Sequence, residues 1–474
     1  MTTTREPAAP PPARWREVFA GRRGRLTAGL LLLEALVAMQ ILIVATVMPA
    51  VREELGDLQL YGWTFSASGL GQFAAIPIAG HAVDRFGARR LLAVTLVVYS
   101  GGLILAALAP SMLVLVLARL VQGVGGGSVY AVSLATVAKS YPANIRPRVL
   151  ALLAAMWILP GLLGPPLGAV LVATAGWRWA FASPLPVLVV AAVLVFPALQ
   201  DSVGDRERRI AMLPPLVLAL GAGVFLAGLT IEPSVWTVPL VLVGLAVALP
   251  PLLRIVPPGT LTARPGLPAA AAAAFLLSMA FVAADSFVTL MLRAVNHRTL
   301  VEAGLVLTLM TVAWSAGSWW QSRVVLRWRL GNLLLLGTVL VIAGLLAAAT
   351  ALVYWPLAVS YAGWAVAGFG MGIAFPTIPL AVMNVAPEGE EAGQLSSVLL
   401  MDTLGVAIGA GLGGSALALA QATGAELRFG IAGAFAIGLL AALILLPIAR
   451  RLPSARARTA PPSVVPELEP DVEQ

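Results

Sequence analysis

Residues 112–137 read MLVLVLARLVQGVGGGSVYAVSLATV, an apolar run long enough to cross a bilayer, with one arginine, Arg119, inside it. A cation at membrane depth costs at least about 2.5–3.5 kcal/mol. Arginines near helix ends avoid that cost by reaching back to the interface. Arg119 stands almost two turns beyond Met112 and the run continues far past it. Such a residue faces protein or a water-filled cavity, and it reads as functional.

The rest of the chain supports a membrane setting. Of its 474 residues 59% are hydrophobic and 11% charged, with a mean hydropathy of +0.93. Soluble domains carry about 25% charged residues. The expected class is therefore an all-α integral membrane protein. Apolar runs of about 20 residues predict fourteen spans: 27–49, 61–83, 91–109, 112–136, 148–173, 179–199, 212–230, 236–256, 268–291, 301–321, 332–354, 357–383, 394–420 and 430–449.

Charge sets the orientation. With the N-terminus in the cytoplasm, Arg52, Arg178, Arg293, Arg298 and Arg428 face outside and Arg119 lies within the membrane. The rest of the 30 lysines and arginines fall in inside loops and tails, as the positive-inside rule requires. Both termini are then cytoplasmic, and an odd span count would spoil the bias. The net charge of +8 is a topology signal, spread over short loops, and points to no nucleic-acid partner. The tail with Pro7, Pro10, Pro11 and Pro12 and the tail after Leu452 are expected to be disordered. The first apolar run is too long for a signal-peptide core and is expected to be retained.

Several chemistries are excluded. There is no cysteine, and His81 and His297 stand far apart, so thiol catalysis, disulfides and an imidazole-built metal centre lack their residues. Lys139, the one lysine, is preceded by Ala138, with Ser133 where a phosphate-binding loop needs its first glycine. ATP-driven pumping by this chain is excluded. The runs Gly123–Gly127 and Gly368–Gly372 lie in apolar helices and read as close helix packing through small residues. No cofactor is expected. An ion-gradient carrier, a facilitator, a channel or an intramembrane enzyme remains, the last with almost nothing to build a nucleophile and base from.

Three clusters narrow the choice. After the second span come Gly80, His81, Ala82, Val83, Asp84, Arg85, Phe86, Gly87, Ala88, Arg89, Arg90 and Leu91. The glycines suit a tight reversal. Asp84 suits capping a neighbouring helix N-terminus while pairing with a base. In the fourth span Arg119 and Gln122 lie one turn apart on one face, followed by Gly123. In the fifth, Gly161, Gly164, Pro165, Pro166 and Gly168 combine close helix contact with a proline bend.

At these residues the chain resembles the major facilitator superfamily. The stretch after span two is similar to its signature loop, with Ala82 and Val83 in place of Leu and Ala. Arg119, Gln122 and Gly123 match its R-x-x-Q-G element. Gly161, Gly164, Pro165 and Gly168 resemble its antiporter motif, with Ala169 replacing a terminal glycine. Trp177, Arg178 and Trp179, then Phe181 and Pro184, are similar to the turn into span six of drug exporters. With fourteen spans the resemblance is to the drug:proton antiporter branch. It implies two six-helix halves, 26–200 and 267–450, separated by a 201–266 linker carrying two extra helices, with cytoplasmic tails 1–25 and 451–474. It also implies a probable monomer in the plasma membrane that exports a small lipophilic substrate in exchange for protons by rocking of the halves. An importer or facilitator of the same fold is the alternative. Exporters of this branch often carry an aspartate nine residues before the proline ending span one. Counted from Pro49, that position is Gln40, and the acid is Glu34, about 120° round the helix.

Glu34, Asp285 and Asp402 are the carboxylates expected within spans, and each is a candidate proton carrier. Each also has a structural reading: Glu34 as a partner of a local donor, Asp402 in helix packing, Asp285 facing water. Gln321 stands where an internal repeat would put Asp84. Met156, Trp157, Met279, Phe281 and Trp314 suit a lipophilic cavity, or ordinary packing.

Overall fold

Lipid offers no hydrogen-bond partners, so a spanning segment has to pair its own amides, and long apolar runs become helices. The computed structural model describes residues 15–142, 145–199, 213–230, 235–353, 356–385 and 391–452. All regular structure among them is helical. A short helix, Trp15–Val18, precedes α1 (Gly21–Leu55), α2 (Tyr61–Phe86), α3 (Ala88–Ala107) and α4 (Met112–Ser140). Two interrupted helices follow: α5a (Arg146–Ala155) with α5b (Ile158–Ala175), and α6a (Arg178–Ala182) with α6b (Pro184–Val195). Next come α7 (Leu213–Thr230) and α8 (Thr237–Ile255). The last group is α9 (Leu267–Leu290), α10 (Leu300–Val324), α11 (Leu330–Ala349), α12 (Leu357–Met383), α13 (Glu391–Ala422) and α14 (Leu427–Ala449). The tails expected to be disordered, and residues 200–212 of the linker, lie outside the described residues.

Thirteen described helices are long and apolar enough to cross a membrane. The expected span 61–83 falls in α2, which is long enough but less apolar. Its Thr64, Ser66, Ser68, Gly69, Gly71 and Gln72 serve contacts with other helices rather than with lipid.

Two local expectations are corrected. The run 148–173 is not one helix. It is interrupted at Met156 and Trp157, where Pro160 has no N–H for the Met156 carbonyl and its ring crowds that oxygen. Pro165 and Pro166, expected to bend the span, lie inside the unbroken α5b. The stretch Gly80–Leu91 is not a loop either. It is helical to Phe86, turns at Gly87 with φ 83°, a backbone region that glycine enters without steric cost, and is helical again from Ala88.

The two glycine runs build the same joint twice. On α4, a Cβ at Gly127 would lie 2.8 Å from Gln72 Cα of α2, and Gly123 abuts Ser68 one turn earlier. Gly125, between them, meets Tyr99 of α3 at 2.6 Å. On α12, Gly372 meets Ser318 of α10 at 2.8 Å and Gly368 abuts Met310. Gly370, between them, meets Gly337 of α11 at 2.6 Å. Thus α2–α4 and α10–α12 are corresponding trios, each centred on a helix whose glycines admit two neighbours. The Gln321 Nε2 to Thr377 Oγ1 bond (3.4 Å) links α10 to α12, where Asp84 and Lys139 link α2 to α4.

The halves meet at one end. Ile43–Val51 of α1, Tyr61 of α2 and Met112 of α4 share one apolar core with α9–α14. Leu26, Val83, Leu92, Val137 and Leu188, at the opposite end of the first half, form a separate core. At the shared end Thr289 Oγ1 donates to the Ala45 carbonyl at 2.7 Å, Ser66 Oγ to the Ala407 carbonyl at 2.8 Å, and Arg293 Nε to Glu53 at 2.9 Å. Arg293 sits in a π-turn, Met291–Val295, that ends α9. Helix α7 bridges this seam. Trp63 Nε1 of α2 donates to Thr230 Oγ1 at 3.1 Å, and Thr230 lies 3.4 Å from Ser415 Oγ of α13. Helix α8 packs on α7, with Gly221 and Gly228 facing Ala248 and Val241.

Candidate functional site

Arg119 is held where three helices crowd together. A Cβ on Gly71 of α2 would lie 2.5 Å from the Leu120 carbonyl, and one on Gly102 of α3 would lie 2.6 Å from Gln122 N. The helices therefore close round this turn of α4, leaving Arg119 4% and Gln122 2% exposed, too little for water to satisfy them. Arg119 Nε donates to the Thr64 carbonyl at 3.0 Å, and Nη1 donates to Gln122 Oε1. Gln40 of α1, Ser68, Gln72 and Tyr99 line a small cavity beside them.

Glu34, on the same helix as Gln40, is engaged elsewhere. Trp157 Nε1 donates to its Oε1 at 3.1 Å. Trp157 is at the break between α5a and α5b, so the interruption enforced by Pro160 brings an indole to the only intramembrane acid of the first half. On the other side, Asp402 of α13 accepts from Ser278 Oγ of α9. Tyr130 of α4 lies within electrostatic reach of both Glu34 and Asp402. Glu34 and Asp402 are nonetheless bonded to different donors, and sequence reading missed Tyr130. Tyr130 lies three turns beyond Arg119 on the same helix, and nothing local distinguishes it.

Asp285 does not join this group. It lies two turns further along α9 than Ser278, about 10 Å, facing the indole of Trp364. Its Oδ1 is enclosed without a hydrogen-bond partner, so it does not simply face water. Trp364 stacks on Phe281 with ring centroids 5.3 Å apart, and Phe281 meets Trp314 edge-on at 5.7 Å. Phe281, one turn before Asp285 on α9, thus belongs to an aromatic cluster of the second half.

The glycine–proline element of α5b faces two ways. Gly164 and Gly168 fit against α1, where a Cβ would lie 3.1 Å from Leu42 Cβ and 3.3 Å from Val47 Cγ1. Gly161 instead abuts Thr311 of α10, with a Cβ there 2.8 Å from Thr311 Cβ, and Pro165 lies against Gly304. This helix thus packs on α1 within its own half and on α10 of the other. At the ends of α2 and α4, Asp84 Oδ1 pairs with Lys139 Nζ at 2.7 Å. Arg85 lies over the Phe86 ring at 5.3 Å, and Arg89 and Arg90 are exposed. A Cβ on Gly80 would meet nothing within 4 Å.

Residues 30–410 match the Major Facilitator Superfamily. The chain is 33% identical over 213 residues to a multidrug resistance protein B homolog of Mycobacterium tuberculosis, covering 44% of this chain and 39% of that relative's length. A second M. tuberculosis relative, named "Probable multidrug-efflux transporter", is 27% identical over 445 residues, 84% of this chain and 88% of its own. Multidrug resistance protein 3 of Bacillus subtilis is 25% identical over 382 residues, covering 75% and 72%. Among solved structures, a bacterial homolog of the human lysosomal transporter Spinster, inward-facing and unoccupied, superposes with a TM-score of 0.65. It is 15% identical and covers 93% of this chain and all of that one. A D-xylose–proton symporter gives 0.65 at 15% identity, covering 92% and 99%.

Proposed function

The chain belongs to the Major Facilitator Superfamily, a transporter and not an enzyme, and from that premise we propose that it exports a small lipophilic compound in exchange for protons. The observation that carries this reading is that each half supplies an intramembrane carboxylate held by a neutral donor, Glu34 by Trp157 and Asp402 by Ser278. Such acids let a proton and a substrate compete for negative charge as the halves rock. The multidrug names of the relatives support the substrate class.

Counting α2 as a span gives fourteen, two six-helix halves at 26–200 and 267–450 with α7 and α8 between them. The arginine distribution supports cytoplasmic termini, and the reading takes the chain as a monomer of the plasma membrane. The joined end, with Glu53 and Arg293, is then the outer face, and the halves part toward the cytoplasm, a state that loads from inside.

The test is accumulation of a panel of fluorescent lipophilic cations and neutral dyes in cells with and without the protein. Export predicts lower accumulation in expressing cells, restored by an uncoupler. An importer, the second reading because the fold is shared with a symporter, predicts higher accumulation that an uncoupler abolishes. Accumulation that expression leaves unchanged for every dye removes the lipophilic-substrate reading.

A further inference from the structure

Arg119 is a buried cation without a buried anion. Its Nε and Nη1 meet neutral acceptors, the Thr64 carbonyl and Gln122 Oε1, and among the described residues no carboxylate pairs with it. Glu34, the nearest acid along α1, lies six residues from Gln40 in the sequence, about 9 Å along the axis, and is bonded to Trp157. Around the guanidinium stand further unmet polar groups. Gln40 is 1% exposed and neither its donor Nε2 nor its acceptor Oε1 has a hydrogen-bond partner, and Gln122 Nε2 has none. Buried amides left this way carry their desolvation penalty uncompensated. All of these groups line one cavity, with Tyr99 and Ser68, that has room for about one water-sized occupant.

We propose that this cavity, between α1, α2, α3 and α4, binds a compact monovalent anion, either a free halide or the carboxylate end of an organic solute. Gln40 Nε2 and Gln122 Nε2 are N–H donors, and with the free face of the guanidinium they form a donor set that suits an anion, Gln40 Oε1 being left to water. Water satisfies the amides but leaves the charge uncompensated at membrane depth. A metal cation is repelled by Arg119. The site is distinct from Glu34 and Asp402 and goes beyond proton-coupled export, and it is tested by binding alone. Its failure therefore leaves the export reading untouched.

The experiment follows the thermal unfolding midpoint of the purified protein in detergent. Chloride or acetate is titrated against the larger methanesulfonate at constant ionic strength. A ligand that binds only the folded state raises the midpoint saturably. A rise with chloride alone identifies a halide site, and a rise with acetate alone a carboxylate site. A rise with both identifies a site that reads only size and charge. Gln40→Glu sets a fixed carboxylate beside Arg119, so its midpoint should be raised in methanesulfonate and should no longer respond to either anion. Gln40→Leu keeps the cation but removes one donor, and should weaken apparent affinity about tenfold. A wild-type midpoint flat in both titrations overturns the proposal. So does a response that survives unchanged in both Gln40 variants.

Discussion

Lys139 Nζ lies 2.7 Å from Asp84 Oδ1, fastening α4 to α2 at the ends where both helices leave the apolar run. The pair is half-exposed, and exposed ion pairs contribute only about 0–1 kcal/mol to stability. Asp84→Asn and Lys139→Ala should therefore leave the unfolding midpoint nearly unchanged. Both should lower turnover several-fold, with little change in substrate affinity, because the pair is remote from Glu34 and Asp402. Lys139→Arg should retain most of the activity. Initial-rate transport over a range of substrate concentrations separates the two parameters, and weakened binding at unchanged turnover contradicts the assignment.

The glycines of the two motifs should respond oppositely to alanine. At Gly161 a Cβ would press on Thr311 across the two halves, while at Gly80 it meets nothing within 4 Å. Gly161→Ala should cut transport about tenfold, at an apparent cost of about 1–3 kcal/mol for overpacking. Gly80→Ala should express normally and be no less stable, since alanine is favoured over glycine in a helix by about 0.8–1.0 kcal/mol. Thermal unfolding and dye efflux of both variants check this. A destabilised Gly80→Ala contradicts the open surroundings.

Helix positions and the glycine joints were legible because both are local: an apolar run has to be helical in lipid, and small residues at four-residue spacing mark close approach. The break in α5 was half legible. Pro165 and Pro166 were singled out, whereas the helix is interrupted just before Pro160, which was not. The acids were found as residues but not with their donors. Which donor each meets depends on how the helices cross, and Trp157 and Ser278 each lie far along the chain from the acid they serve. Lys139 was read only as failing a phosphate loop, since nothing adjacent in sequence points to Asp84 in another helix.

Helix α7 is tied to both halves through one hydroxyl as well as by apolar packing. Thr230 Oγ1 accepts from Trp63 and lies beside Ser415, so residues from both halves meet on the inserted helix. Thr230→Val keeps the shape but leaves the buried indole N–H without an acceptor, at a cost of about 1–3 kcal/mol. A lower unfolding midpoint in detergent is expected, restored by Thr230→Ser. An unchanged midpoint in the valine variant contradicts a structural role for this contact.

Arg119 uses two directions of its guanidinium at once, Nε toward the Thr64 carbonyl and Nη1 toward Gln122. An ammonium is a point donor on a flexible stem and reproduces the charge but not the fork. Arg119→Lys should lose at least about tenfold in transport while inserting at wild-type levels, and Gln122→Ala should lose less. Membrane abundance alongside efflux separates activity from folding. Wild-type transport by the lysine variant shows that charge alone suffices.

The acids make the sharpest test. Glu34 is bonded to Trp157 and Asp402 to Ser278, whereas Asp285 lies two turns beyond Ser278 on α9, beside Trp364. If a proton and a cationic substrate compete for one carboxylate, substrate binds when the proton has left. Affinity should then rise with pH, by up to about tenfold per unit for a single proton, and level off once the carboxylate is ionised. Glu34→Gln and Asp402→Asn imitate permanently protonated states. The variant at the coupling acid should lose the pH dependence and the uncoupler-sensitive gradient for cations, while neutral dyes still equilibrate. Trp157→Phe removes the donor to Glu34 without adding a charge. It should shift the midpoint of the pH profile if Glu34 is the coupling acid and leave it in place if Asp402 is. Asp285→Asn should alter which lipophilic compounds are carried, because of the aromatic cluster beside it, and keep the pH dependence. Binding titrations from pH 5 to 9 on the four variants read all of these outcomes. Retained wild-type pH dependence in both Glu34→Gln and Asp402→Asn, with its loss in Asp285→Asn, transfers the proton to Asp285 and removes Glu34 and Asp402 from the coupling mechanism.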